Sequence, residues 1–193
     1  MATVVADMSM SLDGYVAGPG DDVNQVFEWI MTGDTTLTTD SPGLSFQTDE
    51  ANAEIWRRAI DDAGAVITGR RTFDLAGGWG GMHPMGAPVF ILTHNPPDGF
   101  ENAPFTFVTD GIESAVEQAR SAAGDKVVGI GGASAAQQAL NEGLLDAVRV
   151  SLVPYLLGDG VPFFANLEGA PVRLSKPEVT EAGEITHLYF RLR

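Results

Sequence analysis

Apolar runs and amphipathic segments alternate along the first two thirds of this chain, and strand-like runs dominate the last third. Runs of β-prone residues bounded by glycine, proline or aspartate predict strands, whereas apolar residues at intervals of three and four predict helices. The predicted strands cover 3–12, 65–69, 88–94, 105–110, 126–132 and 146–158, and the predicted helices cover 22–31, 49–64, 111–124 and 134–143. The polar, threonine-rich segment 32–48 is predicted as a loop.

The end of the chain has a different pattern from its beginning. Segments 172–183 and 184–193 alternate in polarity and face each other across Ala182-Gly183, which is typical of an antiparallel hairpin. The earlier strand–helix units favour parallel strands. The sequence therefore predicts an α/β fold with a mixed, mostly parallel sheet, helices on both faces and a C-terminal antiparallel hairpin. With 193 residues and no repeat or linker, the chain is predicted to form a single domain over 1–193.

Composition narrows the classes of partner. The chain carries 26 acidic and 11 basic residues, and the basic ones are too dispersed to form a face that binds nucleic acid. No apolar run reaches the roughly 18 residues of a membrane span, and no secretory pattern opens the sequence, so a cytoplasmic protein is expected. The absence of cysteine excludes disulfides, thiolate catalysis and cysteine zinc sites.

A glycine pair joins one predicted strand to the helix that follows it. Gly131 and Gly132 end the strand, and the helix begins near Ser134. Unpaired backbone N–H groups at such a junction attract an anion, and glycine allows a ligand to approach the main chain. The spacing of Gly129, Gly131 and Ser134 does not match the dinucleotide fingerprint GxGxxG. A plain tight turn is the alternative interpretation.

Two adjacent arginines mark a second junction of the same kind. Arg70 and Arg71 follow Gly69 at the end of a predicted buried strand. A guanidinium group can donate two parallel hydrogen bonds to the oxygens of one phosphate. The alternative is that the two arginines form ion pairs with carboxylates on the protein surface. Two anion-binding junctions suggest a ligand with two anionic centres, such as the pyrophosphate and 2′-phosphate of NADPH. Arg71→Ala is then expected to weaken binding of NADPH far more than binding of NADH.

An ordered set of motifs resembles one superfamily along nearly the whole chain. The segments are MSMSLDGYVAG (8–18), VITGRRTFD (66–74), PVFILTHNPP (88–97), FVTDGIESAVEQA (107–119), VVGIGGASAAQQALNEGLLDAVRVSLVPYLLGDGVPFF (127–164) and THLYFRLR (186–193). In this order they resemble the dihydrofolate reductase-like superfamily, and in particular the stand-alone relatives of the RibD C-terminal reductase domain of the riboflavin pathway. The resemblance implies a three-layer fold around a mixed eight-stranded sheet.

The same resemblance implies NADPH as the cofactor and a homodimer as the assembly. Residues 69–72 match the element that holds the cofactor phosphates, and 93–95 would flank the 2′-phosphate. Residues 131–134 match the turn under the pyrophosphate and nicotinamide, and 17–18 match a mobile loop that covers the nicotinamide. The cofactor-binding residues implied in this way are Ala17, Gly18, Gly69, Arg70, Arg71, Thr72, Thr93, His94, Asn95, Gly131, Gly132, Ala133 and Ser134.

The function implied by the resemblance is hydride transfer from NADPH to a small molecule of the pteridine, pyrimidine or ribosylaminopyrimidinone type. The model reaction is that of the 5-amino-6-(5-phosphoribosylamino)uracil reductases, and dihydrofolate reduction is the alternative. Glu28 is the candidate for the acidic residue with which folate reductases protonate the pterin. The deaminase half of the riboflavin enzyme is absent, because the chain has no cysteine for its zinc motif.

Polar residues of the first predicted strand are further candidates. Asp13 ends this strand and is a candidate catalytic residue in contact with substrate, with a simple Asp-Gly turn as the alternative. Asp7, Ser9 and Ser11 alternate along one face of the strand. Such polarity indicates either a position that faces a cleft or a buried, hydrogen-bonded one.

Two functions from other classes remain as alternatives. The protein could bind a nucleotide without catalysis. It could also be a serine hydrolase, because Ser134, Asp146 or Asp159, and His187 follow the chain order of the hydrolase triad. Against the hydrolase, GGASAA lacks the second glycine of the nucleophile elbow, and His187 lies within a predicted strand. No metal site is predicted, because no ligand spacing surrounds the histidines.

Overall fold

The structure is a computed structural model that describes residues 1–41, 43–100 and 103–193. Its strands are β1 Thr3–Ser11, β2 Tyr15–Ala17, β3 Thr35–Thr38, β4 Ser45–Thr48, β5 Ala63–Gly69, β6 Val89–Leu92, β7 Phe105–Val108, β8 Val127–Gly131, β9 Ala147–Val153, β10 Val161–Pro162, β11 Glu178–Ala182 and β12 Ile185–Arg191. Its helices are α1 Asn24–Phe27, α2 Glu50–Asp62, α3 Arg70–Leu75, α4 Ile112–Ala123 and α5 Ala133–Asn141. Short 3-10 turns cover Pro19–Asp21, Glu28–Ile30 and Gly77–Gly81.

A mixed sheet forms the centre of the fold. Its strand order is β11-β12-β9-β1-β8-β5-β6-β7. The neighbours from β9 to β7 are parallel, while β12 runs antiparallel to β9 and to β11. The predicted mostly parallel sheet with a C-terminal hairpin is therefore confirmed. Because the parallel strands share one direction, their carboxyl ends meet along one side of the sheet, which we call the carboxyl edge.

Helices lie on both faces of this sheet, as predicted. On one face α4 and α5 pack on buried side chains that include Val4, Ile67 and Ile130. On the opposite face Phe73 of α3 packs on β5 and β6, and Val26 of α1 packs on β9 and β12. The result is a three-layer arrangement. Among the described residues, no helix is long and apolar enough to cross a membrane.

The predicted helix at 22–31 is wrong in length. Only Asn24–Phe27 forms an α-helix, and a 3-10 turn follows it over Glu28–Ile30. The change of helix type turns Trp29 toward the sheet, where its Nε1 donates a hydrogen bond of 3.0 Å to Ser9 Oγ. The next predicted helix is confirmed as α2, and its N-cap Asp49 accepts a hydrogen bond of 2.9 Å from the backbone of Asn52.

The predicted loop at 32–48 is also corrected. Strands β3 and β4 pair within it as an antiparallel hairpin. Leu37 and Phe46 lie opposite each other in the hairpin and are buried in one cluster with Trp56. The threonines on either side are β-branched and suit a strand, so burial of one apolar face overrides the polar composition.

A cluster of aromatic side chains packs on the outer strands β6 and β7. Phe73 is at its centre, and Trp79 contacts Phe73 with ring centroids 5.9 Å apart. His83 meets the Trp79 ring edge-on at 4.5 Å, and its Nδ1 accepts a hydrogen bond of 3.2 Å from the backbone of Met85. Burial lowers the pKa of His83 from 6.5 to about 4, so the ring is neutral at pH 7.

This buried histidine makes stability depend on pH. The folded protein resists protonation of His83, so its contribution is complete above about pH 6.5 and is lost as the pH falls toward 4. Allowing for partial exposure of the ring, we expect His83→Gln to remove about 2 kcal/mol of the acid-induced loss in unfolding free energy. Urea unfolding between pH 4 and pH 7.5 measures the difference. The exposed His94→Gln is the control, and parallel curves for wild type and His83→Gln would contradict the prediction.

Candidate active site

The two predicted strand–glycine–helix junctions lie at the carboxyl edge of neighbouring strands. β5 leads through Gly69 into α3, and β8 leads through Gly132 into α5. Among the residues that the structure describes, no side chain caps the amino end of either helix. The first N–H groups of both helices are therefore available to a ligand at this edge.

The junctions touch each other. A Cβ atom placed on Gly132 would lie 2.9 Å from Thr72 Oγ1 and 3.8 Å from Thr68 Oγ1. Gly132 has φ of +93°, which L side chains rarely adopt, so both its conformation and its surroundings require glycine. We call Thr68, Thr72, Gly131 and Gly132 the glycine–threonine cradle.

The cradle contains open space and one unpaired polar atom. A Cβ atom on Gly131 would meet nothing within 4 Å, and the same holds for Gly69. Thr68 Oγ1 is buried and has no hydrogen-bond partner among the described residues. A buried hydroxyl without a partner is costly, so its position beside an opening indicates a ligand that supplies the missing hydrogen bond.

A split between β1 and β8 adjoins the cradle. Their ladder ends at the pair Ala6–Ile130, whereas β1 continues to pair with β9 as far as Ser11. Past the end of the ladder, the backbone N–H of Gly132 donates to Met8 Sδ at 3.1 Å. The carboxyl end of β1 thus borders the cradle without continuing the ladder, as in sheets that bind ligands between strand ends.

A second group of predicted cofactor residues meets at the end of β6. Arg70 Nη1 donates to the carbonyl oxygen of Asn95 at 2.7 Å, and Thr93 Oγ1 donates to the same oxygen at 3.0 Å. Arg70 Nε also binds Asp74 at 2.7 Å. His94 lies between these residues in the chain and is exposed. The structure therefore brings Arg70, rather than Arg71, next to the 93–95 element.

Arg71 instead binds the loop that follows β2. Its guanidinium pairs with the carboxylate of Asp21, whose side chain is only 14% exposed, although Arg71 itself is 74% exposed. Within this loop the N–H of Gly18 donates to the carbonyl of Asp22 at 2.6 Å. Ala17 is the last residue of β2, where it is buried and pairs with β10. Of the predicted covering segment 17–18, Gly18 thus begins the loop that Arg71 binds, whereas Ala17 lies in a strand.

Asp13 has a structural function in this geometry. Its carboxylate accepts hydrogen bonds from Ser11 Oγ at 2.5 Å and from the backbone of Gly158 at 2.7 Å and Leu157 at 3.2 Å. The hydrogen bond from Ser11, followed by that from Gly158, lowers the pKa of Asp13. These contacts connect the end of β1 to the loop after β9, and a direct role with substrate stays a prediction.

Glu28 binds Tyr155, whose backbone carbonyl accepts a hydrogen bond of 2.9 Å from Leu12, directly after β1. Its carboxylate accepts a hydrogen bond from the hydroxyl of Tyr155, and this bond raises the pKa of Tyr155. Both residues line a pocket of about 220 Å³ between α1, the start of α2 and the turn before β12. Trp29, the next residue, occupies the position beside β1 through its hydrogen bond to Ser9.

The structure does not assemble the predicted hydrolase triad. Ser134 Oγ bonds Gln138 Nε2 at 3.2 Å within α5. His187 is buried in β12 and bonds other partners, Ser151 Oγ at 3.0 Å and Asn52 Oδ1 at 2.8 Å. Burial lowers the pKa of His187, which favours the neutral ring. The serine hydrolase interpretation therefore has no geometric support.

The neutral form of His187 can be assigned from its partners. Asn52 Nδ2 donates to Asp49 Oδ2 at 2.6 Å and to the carbonyl of Ala182 at 3.2 Å. Asn52 Oδ1 is then an acceptor, so His187 carries its proton on Nε2 and accepts from Ser151 through Nδ1. This network anchors α2 to the sheet, and no sequence motif pointed to Ser151 or Asn52 as partners of His187.

A protein-family comparison identifies the chain. The family model described as the RibD C-terminal domain matches residues 2–188. The chain belongs to this family. The resemblance inferred from the sequence motifs is thereby confirmed.

Related proteins agree with this membership. The uncharacterized protein YyaP of Bacillus subtilis strain 168 is 27% identical over 179 residues, which cover 86% of this chain and 81% of YyaP. A crystal structure described as a riboflavin biosynthesis protein from Shewanella sp. PV-4 is 24% identical, with a TM-score of 0.71 and coverage of 100% of this chain and 99% of that one. Dihydrofolate reductase from Enterococcus faecalis, complexed with NADP(H), is 12% identical, with a TM-score of 0.61 and coverage of 98% and 96%. These structures share the dihydrofolate reductase-like fold.

Proposed function

We propose that this protein is an NADPH-dependent reductase that transfers a hydride to a small nitrogen heterocycle of the pteridine, pyrimidine or ribosylaminopyrimidinone type. The observation that carries the proposal is the contact between the two junctions, where Thr72 Oγ1 lies 2.9 Å from a Cβ position on Gly132. Two uncapped helix ends at one point suit a pyrophosphate. Membership of a reductase family and the dihydrofolate reductase-like fold support the same proposal.

The residues present fit a reduced pyridine dinucleotide. Residues 131–134 and 69–72 would hold the pyrophosphate through backbone N–H groups and Thr72, in space that the glycines leave open. The unpaired hydroxyl of Thr68 would gain a partner. Arg70, with Thr93 and Asn95 beside it, would bind the 2′-phosphate. Arg70 and Arg71 are paired with Asp74 and Asp21, and each would have to exchange its carboxylate for a cofactor phosphate.

The remaining parts of the site orient the reaction. A bound NADPH supplies the hydride. The split between β1 and β8 would give a flat ring access to the sheet, and the loop that follows β2 from Gly18 would cover the ring and exclude water. Dihydrofolate reduction is the alternative, and its candidate acid, Glu28, is hydrogen-bonded to the hydroxyl of Tyr155.

Titration calorimetry with NADPH and NADH tests the cofactor assignment. We expect NADPH to bind more tightly than NADH, and no heat with either would overturn the proposal. Oxidation of NADPH, followed by its absorbance, with dihydrofolate or 5-amino-6-ribosylaminouracil then tests catalysis. Binding of NADPH without turnover of any heterocycle in such a panel would favour the nucleotide-binding alternative.

Asp21 should compete with the cofactor for Arg71. Its carboxylate occupies the guanidinium that would otherwise face the pyrophosphate. Because an ion pair with an exposed partner contributes about 0.2–1 kcal/mol, we expect Asp21→Asn to increase the affinity for NADPH by about 2–5-fold. Calorimetry measures this change, and the neighbouring Asp22→Asn is the control. A weaker affinity in Asp21→Asn would mean that the pair orders the loop for binding.

A further inference from the structure

Four neighbouring strands each place one residue in a row across the sheet, on the face that carries α1 and α3. Asp7 of β1 pairs in register with Arg149 of β9, and Gly131 of β8 pairs with Thr68 of β5. Val5 pairs with Gly129 and the ladder ends at Ala6–Ile130, so Asp7 and Gly131 follow on the same face at the point where the two strands separate. Asp7 thus lies across this split from Gly131 of the glycine–threonine cradle.

The ion pair is partly exposed beside open space. Asp7 and Arg149 are joined by a contact of 3.1 Å between Oδ2 and Nη1, and their side chains keep 36% and 27% of their accessible surface. Burial nevertheless raises the pKa of Asp7, against the opposing effect of Arg149. Beside them, Cβ atoms on Gly129 and Gly131 would meet nothing within 4 Å. The missing glycine side chains therefore leave room for a ligand next to the pair.

The pair presents both kinds of hydrogen-bonding group to this space. The contact uses Asp7 Oδ2, so Oδ1 can accept from a ligand, and the remaining guanidinium N–H groups of Arg149 can donate. Tyr189 lies in register with Arg149 on its other side, with the guanidinium carbon 5.9 Å from the ring centroid. Held in this way, Arg149 keeps its planar group close to the Asp7 carboxylate.

We propose that Asp7 and Arg149 recognise the lactam edge of a neutral nitrogen heterocycle, with Asp7 accepting from a ring N–H and Arg149 donating to the adjacent carbonyl. A lactam places its donor and acceptor side by side, as the pair does. The position beside Gly131 brings such a ring against the cofactor site. This assignment rests on the proposed reductase function and names the two residues that select its substrate.

Lumazine and its 1,3-dimethyl derivative test the assignment with the NADPH-loaded protein. Lumazine has two lactam N–H groups, and the dimethyl derivative has neither, so it offers no ring N–H to Asp7. Wild type should bind lumazine at least about 10-fold more tightly than 1,3-dimethyllumazine, and Asp7→Asn should lose most of this preference. Arg149→Lys keeps the charge but removes the planar guanidinium group. It should weaken the binding of lumazine by about 10-fold and leave the Kd for NADPH unchanged.

Controls separate this assignment from the proposed function and from a loss of folding. Asp146→Asn removes another carboxylate that binds an arginine, Arg120 at 3.3 Å, and should leave the preference for lumazine intact. Should Asp7→Asn fail to fold, Arg149→Lys carries the test alone. Equal binding of both pteridines by a wild type that binds NADPH would overturn the role of Asp7 and Arg149, whereas a wild type that does not bind NADPH overturns the reductase proposal.

Discussion

Gly131→Val is expected to raise the dissociation constant for NADPH by about 100-fold while the melting temperature stays close to that of wild type. A Cβ atom at this position meets nothing within 4 Å, and the φ of Gly131 is not in the left-handed region, so the fold accommodates the side chain. Valine also suits the end of a strand. The new methyl groups would instead occupy the space that the cradle offers to the dinucleotide.

Calorimetry with NADPH and a thermal melt of the same sample measure both parts of this prediction. Gly169→Val is the matched control, because Gly169 also has open surroundings and no positive φ but lies on an exposed loop. We expect it to change neither quantity. If Gly131→Val bound NADPH as wild type does, the cradle would not be the cofactor site.

Arg70→Ala is expected to weaken the binding of NADPH by about 10–100-fold and the binding of NADH by far less. Hydrogen bonds to charged groups contribute about 1.5–3 kcal/mol each, and NADH lacks the 2′-phosphate that Arg70 would bind. The structure places this arginine beside Thr93 and Asn95 at the end of β6, whereas Arg71 pairs with Asp21. The geometry therefore favours Arg70 over Arg71 as the residue that selects NADPH.

Two further arginine variants make this result specific. Arg58→Ala removes an arginine that, like Arg70, pairs with a carboxylate four residues away on its helix, and it should affect neither dinucleotide. Arg71→Ala should weaken the binding of both dinucleotides to a similar extent, because both carry the pyrophosphate. A selective loss of NADPH in Arg71→Ala would restore the expectation from the sequence and contradict this assignment.

Local sequence patterns predicted an element correctly where its conformation depends on its own residues. The alternation around Ala182-Gly183 predicted the β11–β12 hairpin, and the spacing of apolar residues predicted α2. The patterns failed at 22–31 and 32–48, where burial decides the outcome. Trp29 turns toward Ser9 and interrupts a helix, and Leu37 with Phe46 makes strands from a threonine-rich segment.

The motifs also located most of the candidate site, but not the roles within it. Glycine pairs and arginines at strand ends are visible in the sequence because the backbone freedom and charge that they supply are local properties. Which arginine faces which strand is a matter of helix direction after each junction. The sequence thus found Arg70 and Arg71 together, and only their contacts with Asn95 and Asp21 distinguish them.

The sequence by itself determined the kinds of element, the glycine-hinged junctions and the family. The tertiary structure decided that the junctions touch, because β5 and β8 become neighbours in the sheet although two helices and two strands separate them in the chain. It also joined Asp7 to Arg149, which are 142 residues apart. Such partners depend on which strands share a ladder, and strand order follows from burial of the whole core rather than from any local pattern.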